Sequence, residues 1–213
     1  MAGLKPDALL FITPGCPHCP AVLQALSEMV KDSSIGKLTA VNAAVHPELA
    51  EEHGVRTAPW LKFGPFTLTG AYSADELRQW ARWAMDSDGA VHYVAHLLKQ
   101  GGYKKAALFV AEDTKRLAPL LAITADPSAN LEVRLGVSAL LESYRGKDAL
   151  KDLLPELAVL SRHQDHRVRA DACHLLGLTG SAAARSPLAA CTSDESQEVR
   201  EIAQEALEKL AGA

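Results

Sequence analysis

The apolar run Ala8-Leu9-Leu10-Phe11-Ile12 reads as an opening strand, closed by Thr13, Pro14 and Gly15. Val22, Ala25, Leu26, Met29 and Val30 then recur at the spacing of one helix face. Lys37–Asn42 alternates like a second strand, and Pro47–His53 reads as a short helix with proline near its start and Gly54 just past its end. Trp60-Leu61-Lys62-Phe63 and Phe66-Thr67-Leu68-Thr69 flank Gly64-Pro65 and predict a β-hairpin. Ser73-Ala74-Asp75-Glu76 has capping-box spacing and opens a helix carrying Leu77, Trp80, Ala81 and Ala84.

From Asp88 onward the periodicity is helical throughout and strand signals vanish. Leu- and Ala-rich runs are punctuated by Gly101-Gly102, Asp126-Pro127, Gly146, Gly180 and Ser193-Asp194. A change from mixed α/β to all-α patterning predicts two domains, with the boundary between Met85 and Gly89. The second half repeats itself. Val133-Arg134, Val168-Arg169 and Val199-Arg200 each open a similar helix, at offsets of 35 and 31 residues. A polar loop with an acid, Asp126, Asp165 or Asp194, precedes each. Periods of 20–50 residues predict a solenoid whose units bury their apolar faces by stacking. Over roughly residues 126–213 the pattern resembles bacterial HEAT-like repeats, with Tyr103–Ala125 as a degenerate first unit. That resemblance implies that the valines face the core and that Asp and Arg pair along the stack.

Composition narrows the function classes. At 213 residues the chain suffices for one large core or two small ones. A formal net charge of −4 gives no electrostatic reason to expect nucleic acid or an anionic membrane as partner. No apolar stretch approaches the roughly 18 residues needed to span a bilayer. Met1–Asp7 is short and polar and has neither the apolar segment nor the cleavage site of a leader, so a cytoplasmic protein is expected. Four cysteines do not make a secreted disulfide framework. Cys16 and Cys19 are paired by spacing, while Cys173 and Cys191 lie in helical patterns and are expected to pack as small apolar residues.

The chemistry concentrates in Cys16-Pro17-His18-Cys19, directly after the first strand and before the first helix. Cysteines three apart at a helix start can close a disulfide there, where unpaired backbone N–H groups and the helix dipole favour a thiolate. Cys16, at the cap position, is the expected nucleophile, and Cys19, pointing inward, resolves the mixed disulfide. Pro17 suits the first helical position, and His18 adds a possible positive charge beside the thiolate. Strand, C-x-x-C and helix together are the thioredoxin-like redox pattern. The stretch from Phe11 to Ala21 resembles the active site of small archaeal glutaredoxin-like thioredoxins, and the order β-α-β-α-β-β-α over residues 6–86 is that of a minimal thioredoxin fold. By that resemblance Pro59, in Gly54-Val55-Arg56-Thr57-Ala58-Pro59, is cis and packs beside the cysteines. Ala58 then offers backbone atoms to an extended substrate, and Trp60 makes the groove rim bulky and apolar. A departure is Leu10, where many thioredoxins bury an acid that serves the second cysteine.

Other candidates are weaker. His92 and His96 are four apart on a helix face, and His163 and His166 bracket a loop, but no third ligand follows at metal-site spacing. Cys173 and His174 point in different directions. The expectation is therefore an α/β thioredoxin-like domain, residues 1–86, followed by an all-α HEAT-like helical solenoid, residues 88–213. Its expected activity is thiol–disulfide exchange through Cys16 and Cys19, with a protein disulfide as substrate and a thiol donor or reductase as electron source. The repeats are expected to recruit a protein partner. No metal is expected, and no cofactor beyond the cysteine pair. The alternatives are a redox-responsive adaptor without turnover and a soft-metal module built on Cys16, His18 and Cys19.

Overall fold

A computed structural model describes residues 5–211. The outermost residues of the expected domains, 1–86 and 88–213, and part of the Met1–Asp7 stretch lie outside the described residues. The chain divides into two compact units between Gly89 and Ala90.

The first unit is built on a four-stranded sheet in the order β2-β1-β3-β4. Its strands are β1 (Ala8–Ile12), β2 (Leu38–Asn42), β3 (Trp60–Phe63) and β4 (Phe66–Thr69). The helix α1 (Cys19–Lys31) returns the chain so that β2 pairs parallel to β1, as a crossover connection requires. β3 pairs antiparallel to the other edge of β1, with Phe11 opposite Trp60. The β3–β4 hairpin closes with Phe63 opposite Phe66, and Gly64 at φ 49° supplies the left-handed turn conformation that a side chain disfavours.

Side chains alternate across the sheet. Leu10, Leu61, Phe63, Phe66 and Leu68 fall on one face and are all nearly or fully buried. That face is covered by α1, through Val22, Leu26 and Met29, and by α3 (Ala74–Trp83), whose Trp80 meets the Phe66 ring edge-on at 5.9 Å. Val30, read as part of the apolar face of α1, is 37% exposed at its rim. Ser73 caps α3 through a complete capping box with Glu76. Phe11 and Trp60 occupy the opposite face, where His53, at the end of α2 (Pro47–Glu52), packs at 5.5 Å and 5.8 Å from their rings.

The second unit is all-helical among the described residues. Its longer helices are α4 (Gly89–Lys99), α5 (Tyr103–Glu112), α6 (Leu117–Thr124) and α7 (Leu131–Glu142). They are followed by α8 (Asp148–Lys151), α9 (Leu154–Leu160), α10 (His166–Leu178), α11 (Arg185–Cys191) and α12 (Gln197–Ala211). Val133, Val168 and Val199 head α7, α10 and α12 and are buried to 3%, 0% and 0% exposure, as the repeat pattern implies. The Asp–Arg pairing is less regular than that pattern suggests. Arg169 does reach Asp194 in the next loop, but Arg134 pairs with Asp171 on the body of α10, at 2.8 Å, and not with Asp165. Asp165 is occupied locally, accepting from the Arg167 backbone and side chain.

α10 and α12 pack against each other with Gly177 facing Ala206. A Cβ placed on Gly177 would lie 2.7 Å from the Ala206 Cβ, closer than two carbons can approach. Gly177→Ala is therefore expected to destabilise the protein by about 1–2 kcal/mol, because overpacking exceeds the gain in helix propensity of about 1 kcal/mol. Urea denaturation measures this. An unchanged midpoint would mean that the two helices part without cost.

Candidate active site

The loop Thr13-Pro14-Gly15 carries the chain from the buried end of β1 to the cysteines. The Cys16 N–H donates to the Thr13 carbonyl at 3.2 Å and closes a turn. Cys16 and Cys19 are joined as a disulfide, with Cα atoms 5.5 Å apart, a separation within the ordinary range for such bridges. Cys16 is half-buried and Cys19 is 4% exposed, so Cys16 is the more accessible of the two. Pro17 and His18 between them are exposed.

The helix start differs from the sequence expectation. α1 begins at Cys19 with His18 as its N-cap, so Cys16 precedes the helix and Pro17 is not its first residue. The reason is Pro20: it lacks the N–H that would bond to the Cys16 carbonyl, and the ladder instead opens with Val22 N–H to His18 O at 3.3 Å. Pro20, not Pro17, takes the first-turn proline position. The unsatisfied N–H at the helix start then has another use. Cys19 N–H donates to Cys16 Sγ at 3.1 Å, placing a backbone dipole directly on the sulfur.

The Ala58–Pro59 bond is cis. The Pro59 carbonyl accepts from Gly70 N–H at 3.0 Å, while the Ala58 backbone makes no hydrogen bond among the described residues. Ala58 is half-buried and Pro59 buried. Trp60 does not form a groove rim: it is 4% exposed, its ring edge-on to Phe11 at 5.5 Å. Strand alternation explains this, since Trp60 lies opposite Phe11 and points with it into the layer beneath α2. Leu10, in place of an acid, is fully buried.

A cleft of about 600 Å³ runs beside Ala58, lined by Thr13, Ala50, Glu51, Arg56 and Thr57 among others. It joins the loop before Cys16 to the segment before Pro59. Glu51 and Arg56 place opposite charges on its wall, and neither is among the site residues expected from the sequence. Arg56, directly before Thr57-Ala58-Pro59, was the available signal.

Residues 9–82 match the model of the thioredoxin domain, and residues 117–208 match that of HEAT repeats. The repeat match begins at the start of α6, within the stretch Tyr103–Ala125 expected as a degenerate first unit. Protein disulfide-isomerase A2 of Pongo abelii is 35% identical over 83 residues, which are 34% of this chain and 16% of the relative. A protein disulfide-isomerase of Drosophila melanogaster is 35% identical over 78 residues, 33% of this chain and 16% of that protein. The chain thus spans about a sixth of the length of the curated relatives it matches. It carries a thioredoxin domain followed by HEAT repeats, with distant similarity to protein disulfide-isomerases.

Proposed function

We propose that the protein is a thiol–disulfide oxidoreductase in which Cys16 is the attacking sulfur and Cys19 the resolving one. The observation that carries this reading is the Cys19 N–H donated to Cys16 Sγ at 3.1 Å, with the acceptor sulfur the more exposed of the two. A fixed donor on a sulfur stabilises negative charge there, and the thiolate is the nucleophile of exchange. The Cys16 thiolate attacks a substrate disulfide, forms a mixed disulfide and releases one substrate thiolate. Cys19 then displaces the second, leaving the substrate as a dithiol and the Cys16–Cys19 pair oxidised. A dithiol donor or a reductase returns the pair to its reduced form. His18, exposed beside the pair, adds positive charge whenever protonated, and Pro17 stiffens the turn.

The free backbone of Ala58 gives an extended substrate segment main-chain bonds beside Pro59. Trp60 supports this edge from behind instead of touching substrate. The repeats hold the protein partner, since a stacked solenoid offers an extended surface. Turnover tests the proposal. With excess dithiothreitol, each chain is expected to reduce many insulin molecules. A one-for-one stoichiometry would instead indicate a redox-responsive adaptor.

A further inference from the structure

A second cleft of the first unit, of about 360 Å³, lies away from the cysteines. Three segments converge on it. α3 and the turn after it contribute Arg78, Ala81, Arg82 and Met85, whose i, i+3, i+4, i+7 spacing puts them on one face. Lys5 and Pro6, before β1, and Ser34, after α1, complete the wall. Ser34 follows the far end of a 13-residue helix that starts at Cys19, a rise of about 20 Å. Backbone and side-chain bonds fix these walls. Gly36 N–H donates to the Pro6 carbonyl at 3.0 Å, Arg78 Nη2 donates to Asp32 Oδ2 at 2.8 Å, and Ser34 N–H donates to Asp32 Oδ1 at 2.9 Å.

The charges around the cleft do not cancel. Three cations line it and no carboxylate does. Arg78 is neutralised by Asp32, but Lys5 and Arg82 have no carboxylate partner among the described residues. Arg82 donates to the uncharged side-chain oxygen of Gln79, and Asp7, close to Lys5 in the chain, lies 3.9 Å from Lys37 instead. The ends of α1 and α3 do not need these cations either. Following N–H groups take up their carbonyls, Ser34 and Ile35 on Met29 and Met85 on Arg82. We propose that this cleft binds a small organic phosphate monoester, with its phosphate between Lys5 and Arg82 and its organic group against Pro6, Ala81 and Met85. A monoester is close to a dianion at neutral pH, which matches two unpaired cations, and the guanidinium fork fits its oxygens. Pro6 and Ala81 are buried, while Met85 is 49% exposed and supplies a flexible apolar flank. The volume is at the small end of ligand pockets and fits a one-ring compound.

The test is a calorimetric titration of the full-length protein with phenyl phosphate. It involves no thiol chemistry, so its result does not depend on the function proposed for Cys16. Saturable one-site binding is expected, weakened by added salt and weakened about tenfold or more in Lys5→Gln and in Arg82→Gln. Both side chains are exposed, so these variants are expected to keep the denaturation midpoint of the parent. Met85→Ser is expected to weaken phenyl phosphate and leave inorganic phosphate unchanged. In amide NMR spectra of the parent, the shifts on titration are expected at Lys5, Ser34 and Arg82. Absence of saturable binding, or an unchanged affinity in both charge variants, overturns the proposal, as do shifts centred on Arg56. Inorganic phosphate binding as tightly as phenyl phosphate would remove the organic group from the assignment. Tighter binding of a phosphotyrosine peptide would overturn the small-molecule ligand in favour of a protein.

Discussion

Cys16→Ser is expected to reduce turnover of a protein disulfide on the order of 10³-fold or more, to the uncatalysed background, because the attacking sulfur is gone. Cys19→Ser is expected to fail differently. Its Cys16 still attacks, still receives the residue-19 backbone N–H, and has no internal thiol to release it. Mixed disulfides with protein substrates accumulate on Cys16 and are visible on non-reducing gels, and Cys16→Ser yields none. The same geometry predicts the order of alkylation in the reduced protein near neutral pH: Cys16 first, then Cys19, with Cys173 and Cys191 shielded by burial. Trapping through Cys19 in the Cys16→Ser protein would reverse the two roles.

Arg169→Ala is expected to be among the most damaging substitutions in the repeats. The Arg169 side chain is 8% exposed and Asp194 11%, and they are paired at both ends of the guanidinium, Nε to Oδ2 and Nη2 to Oδ1, each at 2.8 Å. Arg169 Nη1 also donates to the carbonyls of His163 and Gln164 at 2.9 and 3.0 Å. Truncation leaves a shielded carboxylate and two carbonyls without their donor, at a cost of about 3–5 kcal/mol, against at most about 1 kcal/mol for an exposed pair. Hydrogen bonds from Arg169 hold the Asp194 carboxyl below the usual carboxylate range. A depressed folded-state value contributes stability that is complete above the unfolded carboxyl range, about pH 4, and is lost as pH falls through the lower folded value. Acid titration of stability should therefore be shallower in Arg169→Ala than in the parent. A loss under 1 kcal/mol in urea denaturation, with the acid slope unchanged, would show that the pair behaves as a surface contact.

Local signals were readable wherever a short stretch determines its own structure. The Ser73–Glu76 capping box, the Gly64-Pro65 hairpin and the Val-Arg helix openings depend on neighbours within a few residues, and each is found. Misreadings occur where a missing atom or a distant partner decides. The start of α1 turned on the absent N–H of Pro20, which outweighs the suitability of Pro17 for a first helical position. Trp60 looked like a groove wall because its neighbour Pro59 is an expected site residue; its strand register with Phe11 sends it the other way. Arg134 turns from the loop acid to Asp171 because Asp165 is held by Arg167. Glu51 becomes a cleft residue only through the course of the chain around α2, which runs beside Ala58.

Cys16 and Cys19 are three positions apart in the chain, and the ring their bond closes is correspondingly small. In the chain-entropy relation such a ring restricts the disordered chain by about 2 kcal/mol, compared with nearly 5 kcal/mol for a loop of 100 residues. The effect is mutual, because a bond that lends the fold little stability receives little from it in return. Leu10, Phe11, Leu26 and Phe63 are sealed in the core by packing against the sheet and its helices and not by the bridge. A domain whose core packing does not depend on that bond has little to lose when the bridge opens.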